Sequence, residues 1–392
     1  MRPSPARVVA HRVVRRVFEE DAFADRAFRG EAADLDARNR ALAMRLAYGT
    51  IQRKGTLQWV TGRMAKGKLE PSVRAALWIG LYQLLFSGIP EHAAVAESVE
   101  LAKPSQGHRV VNAVLRRVQR EGVELPADDT PEGAAIRHSH PEWVVRMWWD
   151  WIGADRTRAL LVADNEPAEH AIRVNTLVAD DFTGRRDPAL PEARVLDGPL
   201  DVFATPEWAS GAIMAQSRSS MHVARAVDPK PGERVLDLCA APGGKTTHLA
   251  ALMGNKGELV AVERHEGRAR ALGETCTRMH ASIVDVRVGD AKDPPVEGEF
   301  DRVLVDPPCT GLGTLSSHPD LRWRVAPSSV ERLAAEQDAI LAAARRHLKP
   351  GGRLVYSVCT LSPGEERLQG DWRRHLWPHE DNSDGFYIAA SE

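Results

Sequence analysis

The chain has 392 residues, of which 43% are hydrophobic and 27% are charged, an ordinary composition for folded domains. This length predicts two or three domains, each large enough to bury a core. No run of about 18 uncharged apolar residues occurs, which argues against a membrane span, and residues 1–21 lack the features of a secretory signal. The 4 cysteines lack the spacing of a metal site, so we expect reduced thiols in a cytoplasmic monomer without a bound metal.

The formal net charge of −2 conceals an asymmetry along the chain. Residues 1–120 hold 21 Lys and Arg against 11 Asp and Glu, a balance of +10, whereas residues 121–392 hold 31 and 43, a balance of −12. A basic segment ahead of an acidic remainder is typical of a module that guides a protein to nucleic acid. A solvated helical surface without a partner would have the same balance, so charge alone leaves both interpretations open.

Helical periodicity dominates residues 1–122. Apolar residues recur at helical spacing near Val9, in a segment that Pro71 opens, and at 92–102 and 107–121. The last segment carries four arginines, three of them on one face: Arg109, Arg116 and Arg120, with Arg117 beside them. We predict an all-α domain whose arginine stripe binds RNA phosphates, with the alternative that these arginines only keep the outer side of a core helix solvated.

The pattern changes after residue 122. Residues 123–137 are polar and contain prolines, which predicts a linker. Short β-type runs at 171–178 and 194–203 indicate a small α/β subdomain, so that linker and subdomain together occupy 123–212.

Apolar strands alternate with helices from residue 213 to residue 392. The predicted strands are 234–239, 258–263, 284–290, 300–306 and 353–359. This alternation predicts a Rossmann-like, doubly wound α/β domain over 213–392. In such a sheet, ligands bind outside the carboxyl ends of the strands.

A glycine-rich turn follows the first of these strands. Its glycines let the backbone pass close to a ligand, and the helix that follows offers unpaired N–H groups. The turn matches neither GxxxxGKS/T nor GxGxxG, so phosphate and NAD binding are disfavoured, although an ordinary strand–helix corner would look similar. The predicted cofactor-binding residues of this turn are Cys239, Ala240, Ala241, Pro242, Gly243, Gly244 and Lys245.

Acidic residues end the next three strands. Glu263 is placed to accept hydrogen bonds from two ribose hydroxyls, Asp290 from an adenine amino group, and Asp306 ends the fourth strand. One acid at a strand end usually caps a helix, but several in register along one sheet edge predict a ligand site. A ligand with ribose and adenine but no phosphate is S-adenosylmethionine, which we predict as the cofactor.

Two cysteines, Cys309 and Cys359, end the fourth and fifth strands beside the predicted cofactor. Cytosine C5 is a poor nucleophile, but a thiolate that adds at C6 makes C5 reactive, and an acid such as Asp306 at N3 assists the addition. The base must be unstacked, which favours single-stranded RNA. We therefore predict methyl transfer to cytosine C5 in RNA, whereas Cys276, within a helical segment, is expected to be a small core residue.

Several motifs resemble those of the Sun-type family of RNA cytosine-C5 methyltransferases: DLCAAPGGKTT (237–247), VDPPCTGLGTL (305–315), HPDLRWR (318–324) and LKPGGRLVYSVCTL (348–361). Residues 1–122 look like a NusB-type helical domain. The fusion of the two implies small-subunit ribosomal RNA as the substrate.

By this resemblance, Cys359 is the nucleophile and Cys309 the second thiol, which assists product release. The resemblance also implies cofactor contacts at residues 239–245, Glu263, Asp290 and Asp306. Two departures stand out. Ser217 follows Gln216 where the family often has aspartate, and serines at 316 and 317 replace a basic pair ahead of the HPD motif.

Two other functions compete with this interpretation. An amino-group methyltransferase would need an aromatic residue in place of Cys309. A non-catalytic RNA-binding or ribosome-assembly factor that keeps the fold would account for the missing basic pair. Neither alternative predicts a covalent complex with RNA.

Overall fold

The structure, a computed structural model, describes residues 2–103, 105–198 and 200–392. The described residues form two compact units. Unit 1 holds the residues up to Asn165 together with Leu315–Arg324, and unit 2 holds Glu166–Thr314 and Val325–Glu392. The three-part division with boundaries after residues 122 and 212 stays a prediction. No helix in the described ranges is long and apolar enough to cross a membrane.

Unit 1 is built from helices, as the periodicity predicted. Its α-helices in the described ranges are α1 (Pro5–Glu19), α2 (Ala24–Glu31), α3 (Ala37–Gln52), α4 (Lys54–Met64), α5 (Pro71–Phe86), α6 (Glu91–Ala102), α7 (His108–Glu121), α8 (Pro131–His138), α9 (Glu142–Ile152) and α10 (Ala154–Ala163). Their apolar faces meet in one core that includes the fully buried Val13, Leu46, Leu77 and Leu115. Burial of such side chains contributes about 1.5–3 kcal/mol each and holds the helices together.

Helix α8 begins at Pro131, inside the segment 123–137 where the composition predicted a linker, and ends at His138. The Thr130 hydroxyl caps it by accepting a hydrogen bond from the Gly133 amide at 3.2 Å, and Pro131 takes the first helical position. A capping threonine followed by proline is a helix-start signal that the polar composition of the segment obscured.

The segment Leu315–Arg324, far along the chain from the rest of unit 1, is held there by Arg322. The guanidinium is fully buried. It donates to five oxygens: the carbonyls of Gln52 (3.4 Å), Ser139 (3.0 Å), Asp164 (3.1 Å) and Leu315 (3.2 Å), and Asn165 Oδ1 (3.2 Å). Trp323 Nε1 adds a hydrogen bond to the Ile51 carbonyl at 2.7 Å. The motif that contains HPD is therefore an integral part of unit 1.

Unit 2 contains the strands and the remaining helices. Its strands are β1 (Ala171–Val174), β2 (Arg185–Arg186), β3 (Ala193–Val195), β4 (Ile213–Ala215), β5 (Arg234–Leu238), β6 (Glu258–Glu263), β7 (Val284–Val288), β8 (Phe300–Val305), β9 (Leu348–Val358), β10 (Trp372–Leu376) and β11 (Phe386–Ser391). Its α-helices are α11 (Pro206–Ala209), α12 (Arg218–Val227), α13 (Gly244–Leu252), α14 (Glu266–Arg278), α15 (Pro327–Arg346) and α16 (Pro378–Asp381). The first four strands form a small antiparallel sheet in the order β2-β3-β1-β4.

The large sheet has seven strands in the order β10-β11-β9-β8-β5-β6-β7. Strands β5 to β9 run parallel to one another, whereas β11 pairs antiparallel with both β9 and β10. Strand β5 pairs with β6 on one side and β8 on the other, so the strand order reverses at β5, the position where ligands bind in open α/β sheets. The Rossmann-like fold predicted from the alternating pattern is confirmed.

Both faces of this sheet are covered, which explains its nearly continuous apolar strands. Val235 and Leu304 belong to the core cluster that includes residues of α12, α13 and α14. Their sequence neighbours Leu236 and Val303 belong to the opposite cluster, with residues of α15. Because side chains alternate between faces along a strand, the two cores lie on opposite sides of the sheet.

Candidate functional site

The predicted cofactor turn leaves β5 in an unusual backbone conformation. Cys239 has φ = +67° and Gly243 has φ = +104°, both in the left-handed region. A Cβ on Gly243 would lie 2.8 Å from Leu272 Cδ1, so this position requires glycine for conformation and for space. The Ala240 amide donates to the Val262 carbonyl at 3.0 Å and fixes the turn to the neighbouring strand. The backbone therefore passes the carboxyl end of β5 closely before α13 begins.

A cavity of about 270 Å³ opens at this sheet edge. Most of the predicted turn lines it: Cys239, Ala240, Ala241, Pro242, Gly244 and Lys245. Asp306 and Cys359 line the same cavity, so the structure brings these predicted residues together. Gly243, Glu263, Asp290 and Cys309 are not among its lining residues.

The buried carboxyl of Asp237 on β5 also lines the cavity. Its Oδ2 accepts a hydrogen bond from Thr246 Oγ1 at 2.7 Å, but its Oδ1 is buried without a partner. Burial raises the pKa of Asp237 to about 7. Buried polar atoms in proteins nearly always have partners, so a polar group of a bound ligand would complete this site. The cavity thus fits a cofactor that carries hydrogen-bonding groups.

Glu263 and Asp290 lie at the ends of β6 and β7, as predicted. Glu263 is buried, and its Oε1 accepts from the His265 amide at 3.0 Å, with Arg268 3.4 Å from its Oε2. Asp290 Oδ1 accepts from the Lys292 amide at 2.9 Å, while its side chain remains 41% exposed. Both acids share the sheet edge with the cavity, and their contact with a cofactor stays a prediction.

Asp306 follows β8 and connects two other side chains. Its Oδ2 accepts from Lys245 Nζ at 2.7 Å, and its Oδ1 accepts from the buried Ser357 hydroxyl at 2.7 Å. Burial works against the charged amine of Lys245, but the Asp306 carboxylate outweighs it and raises the pKa of Lys245. The pair therefore places an ammonium proton donor and a carboxylate at the cavity wall.

The two predicted thiols meet. Cys309 Sγ and Cys359 Sγ lie 3.3 Å apart, both half-buried and neither in a disulfide. The hydrogen bond with Cys359 and burial raise the pKa of Cys309 well above its ordinary value, which keeps Cys309 protonated. The remaining two cysteines differ: Cys239 is on the turn, and burial in the core raises the pKa of Cys276 to about 12.

Some site residues were missed by the sequence reasoning. Gln216 lines the cavity and is held by Arg173, whose Nε donates to its Oε1 at 2.8 Å. Asp384 and Phe386, near the C-terminal end of the chain, also line it. No local pattern in the sequence indicates that β11 returns beside β9 and brings these residues to the cavity.

The predicted RNA-binding arginines lie on the outer face of α7. Arg109, Arg116, Arg117 and Arg120 are all exposed, while Val111, Val114, Leu115 and Val118 face the core. Glu121 accepts from Arg117 at 2.8 Å and from Arg120 at 3.4 Å, which partly offsets the positive charge. Both interpretations of this helix are compatible with its geometry, and RNA contact stays a prediction.

Comparisons with known proteins agree with this architecture. Residues 4–120 match the model of the NusB family, and residues 224–372 match the model described as 16S rRNA methyltransferase RsmB/F. A probable ribosomal RNA small subunit methyltransferase B from Synechocystis sp. is 32% identical, over 98% of this chain and 98% of its own. A protein of the same name from Bacillus subtilis is 34% identical over 91% of each chain.

Among solved structures, a methyltransferase homologue from Pyrococcus horikoshii superposes with a TM-score of 0.59 at 28% identity, covering 67% of this chain and 99% of that one. The relatives match across nearly the whole length, through the helical region as well as the sheet, and thereby confirm the family inferred from the motifs. The chain belongs to the RsmB/F methyltransferase family, with a NusB-family region at its N-terminal end.

Proposed function

We propose that this protein transfers the methyl group of S-adenosylmethionine to C5 of a cytosine in small-subunit ribosomal RNA, through a covalent adduct between Cys359 and C6. The observation that carries the proposal is the thiol pair: Cys309 and Cys359 are 3.3 Å apart, and Cys359 lines the same cavity as the glycine-rich turn. Family membership and the names of the curated relatives support ribosomal RNA as the substrate.

The cofactor, when bound, supplies an electrophilic methyl group on a sulfonium. The turn at 239–245 and Asp237 would hold it in the cavity, with Glu263 and Asp290 at the same sheet edge. Asp237 offers an unpartnered oxygen there, and the start of α13 offers free backbone N–H groups. These residues orient the cofactor beside Cys359 and exclude water from the reacting atoms.

Cys359 adds to C6 of the cytosine and makes C5 nucleophilic. The charge that develops at N3 needs a proton, and the Lys245–Asp306 pair holds one: the ammonium carries it and the carboxylate relays it. Ser357 keeps the Asp306 carboxylate in one orientation by donating to Oδ1. This second contact leaves Oδ2 for the exchange with Lys245.

Cys309 acts after methyl transfer, when the C5 proton must leave and the bond to Cys359 must break. Its thiol lies 3.3 Å from Cys359 Sγ and donates its proton to that sulfur as the bond to C6 breaks, and the Cys309 thiolate that remains accepts the proton from C5. The raised pKa of Cys309 keeps it as a thiol until that stage. The exposed arginines of α7 bind phosphates of a single-stranded region that presents the base. The protein acts as a cytoplasmic monomer.

The test is adduct formation on a 16S rRNA transcript. Cys309→Ala should accumulate a protein–RNA complex on a denaturing gel, because addition continues while release fails. Cys359→Ala should give no complex and no methylation, yet keep S-adenosylmethionine affinity by calorimetry. Cys276→Ala, in the core and not among the residues that line the cavity, is the matched control and should behave as wild type. A Cys309→Ala protein without a shifted band would contradict the assigned roles.

A further inference from the structure

A fully buried carboxylate lies behind the thiol pair. Glu365 ends a short 3-10 helix, Pro363–Glu365, that follows β9, and none of its side chain is exposed. It is not among the residues lining the cavity, so it does not reach a ligand there. Burying a carboxylate is costly unless hydrogen bonds compensate it, so its partners indicate why it is there.

Both oxygens of the carboxylate accept hydrogen bonds, from the loop that carries Cys309 and from α15. Its Oε1 accepts from the Thr310 amide at 2.9 Å and from Gln337 Nε2 at 3.1 Å. Its Oε2 accepts from the Thr310 hydroxyl. Because both oxygens accept, the arrangement suits the ionised form, although burial raises the pKa of Glu365.

From Thr310 the contacts continue to the loop that carries Cys359. The hydroxyls of Thr310 and Thr360 are 2.6 Å apart, and Thr360 Oγ1 accepts from the Leu312 amide at 3.2 Å. Since Thr310 donates to Glu365, Thr360 donates to Thr310, and the donors form one chain that ends on the carboxylate. Each threonine is the residue directly after a cysteine, so the chain connects Cys309 and Cys359 through their neighbours.

Gln337 of α15 secures the other side of Cys309. Its Nε2 donates to the Pro308 carbonyl at 2.9 Å as well as to Glu365, and its Oε1 accepts from the Tyr356 hydroxyl at 3.0 Å. The backbone both before and after Cys309 is thus tied, directly or through Gln337, to one carboxylate.

We propose that Glu365 is a positioning residue that sets the separation of the two thiols by holding the Cys309 and Cys359 loops in register. This inference deepens the proposed function and rests on it for its catalytic meaning. The repeated Cys-Thr pair at 309–310 and 359–360 is the sequence element through which the carboxylate acts. A shift of the loops would leave both sulfurs present but not close enough to exchange a proton.

The first measurement needs neither RNA nor S-adenosylmethionine. Diamide takes two electrons and two thiol protons from Cys309 and Cys359 and leaves one disulfide, and peptide mapping follows its formation. We expect Glu365→Ala and Thr360→Val to slow this closure by about 10- to 100-fold, the order that a displacement near 1 Å produces. Glu365→Gln, which keeps the shape and one acceptor oxygen, should fall between wild type and alanine.

Glu366→Gln is the matched control. It changes the adjacent carboxylate, whose Oε1 pairs with His375 Nε2 at 2.7 Å. In Glu366→Gln, the disulfide between Cys309 and Cys359 should form at the wild-type rate. Melting curves establish which variants fold; if Glu365→Ala does not, Glu365→Gln and Thr360→Val decide. If Glu365→Gln and Thr360→Val both fold and both form the Cys309–Cys359 disulfide at the wild-type rate, the proposal is overturned.

The second measurement is steady-state methylation. Glu365→Gln and Thr360→Val should lower kcat by about 10-fold or more while the KM for S-adenosylmethionine stays unchanged, because Glu365 does not line the cavity. Unchanged kcat in both would refute the positioning role. If the wild-type protein itself methylated no RNA, the proposed function would fail, and the closure rates would still decide whether Glu365 positions the thiols.

Discussion

Replacing Arg322 by methionine should lower the free energy of unfolding of unit 1 far more than replacing an exposed arginine does. Methionine fills much of the space of the arginine stem, so the main loss is hydrogen bonding rather than packing. Four backbone carbonyls and the Asn165 side chain lose a donor at once. The segment Leu315–Arg324 is flanked on both sides in the chain by residues of unit 2. These contacts are therefore a large part of what holds the segment in unit 1.

The size of the effect follows from two opposing contributions. Each buried carbonyl left without a donor costs about 1–3 kcal/mol, and these costs are not additive. Against this, the wild-type guanidinium is itself poorly accommodated: its Nε has no partner, and burial lowers its pKa to about 10. Removing one member of a buried charged network typically costs about 3–5 kcal/mol, which we expect here.

Hydrogen exchange followed by mass spectrometry is the suitable assay, because it reports on unit 1 and unit 2 peptides separately. A loss of about 3–5 kcal/mol should speed exchange in α3 and α10 by about 100- to 4,000-fold, since 1.4 kcal/mol is tenfold. Arg12→Met is the control, because Arg12 is 60% exposed and its ion pair with Glu31 is 3.5 Å long. Its effect should stay below about 1 kcal/mol. Equal exchange in the two variants would refute the reasoning.

Two further predictions concern the acidic cavity and the basic helix. Because the pKa of Asp237 is raised to about 7 in the folded protein, wild-type stability should fall as pH rises from about 4 to about 7. Asp237→Asn should remove about 3 kcal/mol of the decrease between pH 5 and pH 8, measured by urea unfolding at those two values. An identical slope in the variant would rule out this assignment. Replacing Arg116 and Arg117 together by alanine should weaken RNA binding and reduce its dependence on salt, measured by fluorescence anisotropy over a KCl series, with Arg332→Ala on α15 as the exposed control. An unchanged salt slope would mean that α7 does not contact phosphates.

Local patterns were sufficient for the framework of this protein. The strands before the turn and before both cysteines lie within a few residues of their predicted positions, because apolar runs that end in glycine or acidic residues are a local signal. Parallel strands then place their carboxyl ends at one sheet edge, so Asp306 and Cys359 were expected there and line one cavity. Helix α8 was missed because a short capping signal was outweighed by polar composition.

The contacts that join distant parts of the chain could be decided only by the tertiary structure. Glu365 reaches Thr310 across 55 positions, and Arg322 reaches Gln52 across 270. No periodicity or motif reports which buried acceptor a given donor will find, because that pairing depends on how whole elements pack. The sequence by itself therefore determined the fold class and which two cysteines end strands at the same sheet edge. The 3.3 Å between their sulfurs and the burial of the Glu365 carboxylate behind them arise from packing.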